Sequence, residues 1–177
     1  MTKTKVGILM GSASDLTAME AAADALEGLG VGCEMRVLSA HRTPEEVHEY
    51  VSAAPGRGIR VLIAGAGMSA HLAGVVGAAT DLPVIGVPMD ASSLGGLDAL
   101  LSTVQMPPGI PVATMGIGKA GARNAGLFAA RILALEDEAL AKRYHKFTES
   151  QRDKVLKADA DLQKKRSHKS TKTSPRK

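Results

Sequence analysis

Short apolar runs of strand length alternate with stretches whose apolar residues recur at helical spacing through most of the chain. That alternation is the signature of repeated βα units and a parallel sheet covered on both faces. Strands are expected at 6–10, 33–38, 60–64, 84–87 and 112–115. Between the first two, Met19, Ala22, Ala23, Leu26 and Leu29 fall on one helical face, and Gly30 supplies a stop. A second helix is expected over 43–54, closing near Pro55-Gly56. Its opening, Thr43-Pro44-Glu45-Glu46, reads as an N-cap, a proline at the first helical position and a reciprocal capping glutamate. A third helix starts near Ser69, a fourth covers 97–104 and a fifth 120–135. The fifth has small or apolar residues around most of its circumference, which predicts burial on more than one side and a homo-oligomer whose core includes it. From 136 to 162 the pattern is charged and amphipathic with no further strand, a C-terminal helical extension outside the α/β sheet.

Length and charge divide the chain further. At 177 residues it fits one catalytic domain, 1–163, followed by a basic tail, 164–177. A domain near this size buries about 70% of its unfolded surface, enough for a core without staples. The tail holds seven Lys or Arg and no acid; without it 15 basic residues face 18 acidic ones, so the net charge of +4 belongs to the tail and the body is acidic. With aromatics at 2% there are few platforms for stacking bases, and nucleic-acid binding is not expected. A tail rich in Ser, Thr and Lys reads as disordered and solubilising. The lone Cys33 excludes an internal disulfide and fits a reducing compartment. Met1-Thr2-Lys3-Thr4-Lys5 leads straight into the first strand with no signal-peptide core, and no apolar run approaches a membrane span. A cytoplasmic protein is expected.

Ligands of open parallel sheets bind beyond the carboxyl ends of the strands, and four loops there carry chemistry. Gly11-Ser12-Ala13-Ser14-Asp15 offers close backbone approach, hydroxyls and helix amides for an anion, and a carboxylate for sugar hydroxyls, although Ser14 and Asp15 also fit a capping role. Ser39-Ala40-His41-Arg42 seats an imidazole, which exchanges protons near neutral pH, beside a guanidinium, which grips phosphate or carboxylate. Gly65-Ala66-Gly67-Met68-Ser69-Ala70-His71 matches a dinucleotide fingerprint weakly, after the wrong strand and with only Asp90 near to serve a ribose. Gly116-Ile117-Gly118-Lys119-Ala120-Gly121 lacks the leading glycine and the hydroxyl of a nucleoside-triphosphate loop. No metal-binding spacing or serine-nucleophile elbow is present. His48, His145 and His168 sit in polar contexts and read as surface residues.

In order along 5–159, Met10-Gly11-Ser12-Ala13-Ser14-Asp15, Ser39 to Pro44, Ala64 to Gly67 with Ala70-His71-Leu72, Gly86-Val87-Pro88, Val104-Gln105-Met106-Pro107 with Gly109-Ile110-Pro111, and Ile117 to Ala122 with Asn124-Ala125 resemble one family. It is the N(5)-carboxyaminoimidazole ribonucleotide mutases of purine biosynthesis. The resemblance implies a three-layer flavodoxin-like domain, an octamer with C-terminal helices reaching across subunits, and a ribonucleotide substrate converted without cofactor or metal. It implies that His41 is the general acid/base, that Arg42 joins the phosphate site, that Ser12 and Asp15 bind substrate with Gly11, Ser14 and Ser39 around them, and that Gly67, Ala70 and His71 shape a carbon dioxide pocket. The chain departs from the common pattern at Leu16, where many members have Trp, and at Met68, Ser69 and Ala73 within Gly-Gly-Ala-Ala-His-Leu-Pro. These changes are expected to flank that pocket. A second class carboxylates aminoimidazole ribonucleotide with free carbon dioxide and carries Gly-Arg-Ser-Asn-Ala in its third loop; the Ala70-His71-Leu72 retained here favours the mutase class. An inactive nucleotide-binding module is the remaining alternative, and the joint presence of Ser12, Asp15, His41 and Arg42 argues against it.

Overall fold

A computed structural model describes residues 3–172, with side chains through Arg166. Five strands, β1 Thr4–Met10, β2 Gly32–Val37, β3 Val61–Gly67, β4 Val84–Met89 and β5 Ala113–Thr114, form one sheet in the order β2-β1-β3-β4-β5. Every pairing is parallel. This is the flavodoxin-like order, and the chain reverses its direction of travel across the sheet between β1 and β3, where a crevice opens.

Helices α1 Leu16–Glu27 and α5 Gly118–Leu133 cover one face, α2 Pro44–Ala53 and α3 Leu72–Ala78 the other, with α4 Leu97–Val104 against β4. Alternate strand residues serve the two cores. Val6, Ile8, Val61, Ile63 and Ile85 face α1 and α5, while Leu9, Leu62 and Val84 meet Val47, Val51, Leu72 and Val76. Both faces are dry, so the strands read as apolar runs, and each fully buried Leu or Ile contributes about 1.5–3 kcal/mol. Helices α1 and α5 approach so closely that a Cβ on Gly126 would overlap the Ala22 carbonyl. The small residues of α5 are thus buried inside the chain, at Ala122, Ala125, Ala129 and Ala130.

Several expected boundaries move for physical reasons. Strand β5 shrinks to Ala113–Thr114 and pairs only with Ile85 and Gly86. Beyond that point β4 has a free edge, which is where Pro88, lacking an N–H, is tolerated. Helix α3 begins at Leu72, not Ser69, because Met68 turns into the left-handed region at φ 55°. The Asp137 carboxylate accepts the Leu140 N–H at 2.9 Å and caps α6 Glu138–Lys172. That helix overruns its expected end at 162, so the tail expected to be disordered from 164 is helical to Lys172. The run contains no glycine or proline before Pro175, and extending an existing helix is far easier than nucleating one. Residues 173–177 and the side chain of His168 lie outside the described residues. Among the described residues no helix is long and apolar enough to cross a membrane.

Candidate active site

The loops after β1, β2 and β3 converge on one open cleft of about 570 Å3, at the crevice the sheet order creates. Gly11 extends the sheet pairing into it, its N–H donating to Gly65 O at 3.0 Å, and the Leu38 N–H donates to Met10 O at 2.9 Å. The three loops therefore leave from one strip of backbone.

In the β1 loop, Ser12 caps the short 3-10 turn Ala13–Asp15 by accepting the Ser14 N–H at 3.3 Å. The Ser14 hydroxyl lies 2.8 Å from Ser12 Oγ and 3.3 Å from Asp15 Oδ1, so its single proton serves one of them at a time. Asp15 occupies the N-cap position of α1 yet makes no side-chain cap bond. Its carboxyl faces the β1 loop instead, with the Ser14 hydroxyl 3.3 Å from Oδ1, and only 6% of the residue is exposed. Burial pushes its pKa up, against opposing pulls from the Ser14 hydroxyl, the Ser12 backbone and the Arg42 charge.

The β2 loop is fastened by Thr43, and this overturns its expected capping role. Its hydroxyl accepts the Ser39 N–H at 2.8 Å and lies 3.2 Å from Ser39 O, so it closes the loop and makes no cap bond to α2. Ser39 Oγ in turn accepts from the Arg42 backbone N–H and from Arg42 Nε, both at 3.3 Å. Arg42 Nη2 donates to Gly11 O at 2.7 Å, tying the second loop to the first. No described residue bonds Arg42 Nη1, which leaves a cationic donor at the cleft. From the third loop His71 meets His41, Nδ1 to Nε2 at 2.8 Å with the rings perpendicular.

Of the residues singled out from the sequence, Gly11, Ser12, Ser14, Asp15, Ser39, His41, Arg42, Gly67 and His71 line this cleft. Ala70 does not: it is 1% exposed, beneath the loop, because the turn at Met68 faces it inward. Of the four departures, Met68 and Ser69 line the cleft, whereas Leu16 and Ala73 do not. Sequence reasoning missed Ala91, which follows β4; the same carboxyl-end rule points to it. A Cβ on Gly67 would sit 2.7 Å from that of Ala91, so glycine is what lets the β3 and β4 ends close together. Among the described residues no group of three His, Cys, Asp or Glu is placed to hold a metal ion.

The family model described as AIR carboxylase matches residues 5–154, a span that holds all three loops. The chain belongs to the AIR carboxylase family. Within the family, the N5-carboxyaminoimidazole ribonucleotide mutase of Bacillus subtilis (strain 168) is 54% identical over 157 residues, covering 89% of this chain and 97% of that protein. The mutase of Pyrococcus abyssi (strain GE5 / Orsay) is 57% identical over 145 residues, 82% of each. The chloroplastic phosphoribosylaminoimidazole carboxylase of Vigna aconitifolia is 50% identical over 161 residues, 91% of this chain and 28% of the plant protein. The crystal structure of Treponema denticola PurE superposes with a TM-score of 0.82 at 32% identity, covering 90% of this chain and 98% of that one.

Proposed function

We propose that the chain converts N(5)-carboxyaminoimidazole ribonucleotide to 4-carboxy-5-aminoimidazole ribonucleotide, an isomerase of purine (IMP) biosynthesis. The observation that carries this reading is the convergence of Ser12, Asp15, His41 and Arg42 in one cleft, in a chain half-identical to mutases along their length. Arg42 and the serines hold the phosphate, Asp15 accepts from ribose hydroxyls, and His41 moves the proton. Protonating the carbamate nitrogen breaks its bond to the carboxyl carbon and releases carbon dioxide. The enamine-like C4 then attacks that carbon, and the base recovers the C4 proton, so the proton given is regained. No step calls for a cofactor or metal.

Such a sequence needs a closed pocket to retain the gas, and one chain presents an open cleft. Closure therefore comes from the bound ribonucleotide and from neighbouring subunits of an octamer. Leu97, Leu101 and Val104, 54%, 50% and 47% exposed along one side of α4, supply an apolar row for such a contact. Past Phe147, α6 runs clear of its own domain with Val155, Leu156 and Leu162 exposed, and fits the role of an arm reaching across subunits. The substrate is a small molecule of the cytoplasm, with no part for nucleic acid.

The test supplies labelled bicarbonate with each substrate. Conversion of the carbamate without label in the product is expected. Efficient labelling from the uncarboxylated ribonucleotide identifies instead a carboxylase, the reading the plant relative's name favours. Absence of turnover with either substrate leaves a binding module.

A further inference from the structure

We propose that Met68 sets the specificity of the cleft for a ring: its thioether lies over the flat face of the aminoimidazole and decides how strongly a ring-bearing ribonucleotide is held. The identity of the ring rests on the mutase reading above; the backbone strain and the exposed side chain do not.

Among the described residues Met68 is the only non-glycine with a positive φ, at 55°. A Cβ in that region crowds the following carbonyl oxygen, so a residue other than glycine stays there only where its neighbours dictate it. Here they do. Gly67 ends β3 in register with Met89 of β4, and Ala70, two residues beyond Met68, is 1% exposed. The His71 N–H then donates to Ser69 O at 2.8 Å, just before α3 begins at Leu72. The turn is set from both sides, and glycine would make it without strain. Packing does not explain why methionine stands there: 59% of the residue is exposed, and it belongs to neither core. A strained residue that the core does not need, placed at a cleft, points to the ligand.

The cleft has two unlike sides. The β1 and β2 loops bring Ser12, Ser14, Asp15, Ser39 and Arg42, which suit a phosphate and a sugar. The ends of β3 and β4 bring apolar residues, of which Ala66 and Ala91 are short and Leu72 is 2% exposed. Met68 is therefore the long apolar side chain on that side with room to move. It is unbranched, turns about several bonds, and its polarizable sulfur is attracted to aromatic rings. Of the other described methionines, Met10, Met19 and Met89 are buried and Met35, Met106 and Met115 are half-buried, whereas Met68 is exposed. A ribonucleotide with its phosphate toward Arg42 and its ring toward Ala66 and Gly67 brings that ring under Met68.

Calorimetry with two probes, aminoimidazole ribonucleotide and ribose 5-phosphate, separates the ring from the rest of the ligand. Met68→Ala removes the cover and keeps the strain, Met68→Gly removes both, and Met68→Leu keeps an apolar cover. Kd for aminoimidazole ribonucleotide is expected to rise about 10-fold in Met68→Ala and Met68→Gly, the worth of one good sulfur–ring contact. In Met68→Leu, a volume-conserving exchange, it is expected to stay within about threefold of wild type. Ribose 5-phosphate is expected to bind all four proteins alike. Met68→Gly is expected to melt above Met68→Ala, because it alone releases the strain. In methyl spectra of the wild type, Met68 Cε should shift with the ribonucleotide and not with ribose 5-phosphate. Wild-type affinity for aminoimidazole ribonucleotide in Met68→Ala and Met68→Gly overturns the proposal. An equal loss of affinity for ribose 5-phosphate overturns it too, since the loop would then be disturbed as a whole. The ring-dependent loss in a protein whose wild type does not turn over the carbamate sinks the mutase reading and leaves the contact standing. Turnover of the carbamate without that loss does the reverse.

Discussion

In the proposed reaction His41, Arg42 and Asp15 divide proton transfer, anion grip and sugar contact among three side chains whose surroundings differ. His41→Asn preserves shape and hydrogen bonding but cannot carry a proton. It is expected to lower kcat by about 10²–10⁴-fold with substrate binding largely intact, and residual turnover near wild type would remove its acid/base role. Arg42→Ala deletes a charged donor and the tie from the second loop to Gly11 O. KM for the phosphorylated substrate is expected to rise about 10- to 100-fold, the equivalent of about 1.5–3 kcal/mol for a bond to a charged group, with kcat less affected. Asp15 carries a stability signature as well. Burial raises its pKa from the ordinary 3.8, so the folded chain holds more protons than the unfolded one between those two values. Stability therefore falls as pH rises through that window and stays lower above it. Asp15→Asn is expected to raise Tm at neutral pH, to lose that gain as the pH drops below 3.8, and to weaken substrate binding. Thermal melts across pH check it, and a pH-independent gain excludes burial as the cause.

At the scale of elements, the pairing of α1 with α5 sets how the first loop is presented, because α1 begins directly after Asp15. Gly126 meets the backbone of Ala22 with no room for a side chain. Gly126→Val must push the helices apart or strain them and is expected to cost about 1–3 kcal/mol, as overpacked cores do, measurable by urea unfolding. A change within a few tenths of a kcal/mol would mean that the helices separate freely.

For the whole molecule, the exposed apolar row on α4 and the protruding α6 point to assembly. Leu101→Asp, within that row, is expected to shift sedimentation toward smaller species and to lower activity together with assembly. A chain ending at residue 163 keeps the row and the whole body of the site, so its oligomeric state, turnover and RNA affinity are expected to match those of the full chain. A monomeric wild type at micromolar concentration defeats the octamer.

Local pattern determined a great deal by itself. The apolar runs at 6–10 and 84–87 are strands because both faces of a parallel sheet are dry, and the strand ends point to Ser12, Asp15, His41 and Arg42 through the rule that ligands gather beyond them. Local signals misjudged Thr43, whose hydroxyl turned from capping to closing the loop, and residues 164–172, where a helix already under way outlasted its polar composition. Contacts between residues distant in sequence were decided only by the tertiary structure. Spacing cannot reveal that Ala70 is buried while Met68 lines the cleft, since one left-handed residue sets both. Nor can it bring His71 within 2.8 Å of His41, because that distance depends on β2 and β3 flanking β1, so that the loops leaving their carboxyl ends meet across it.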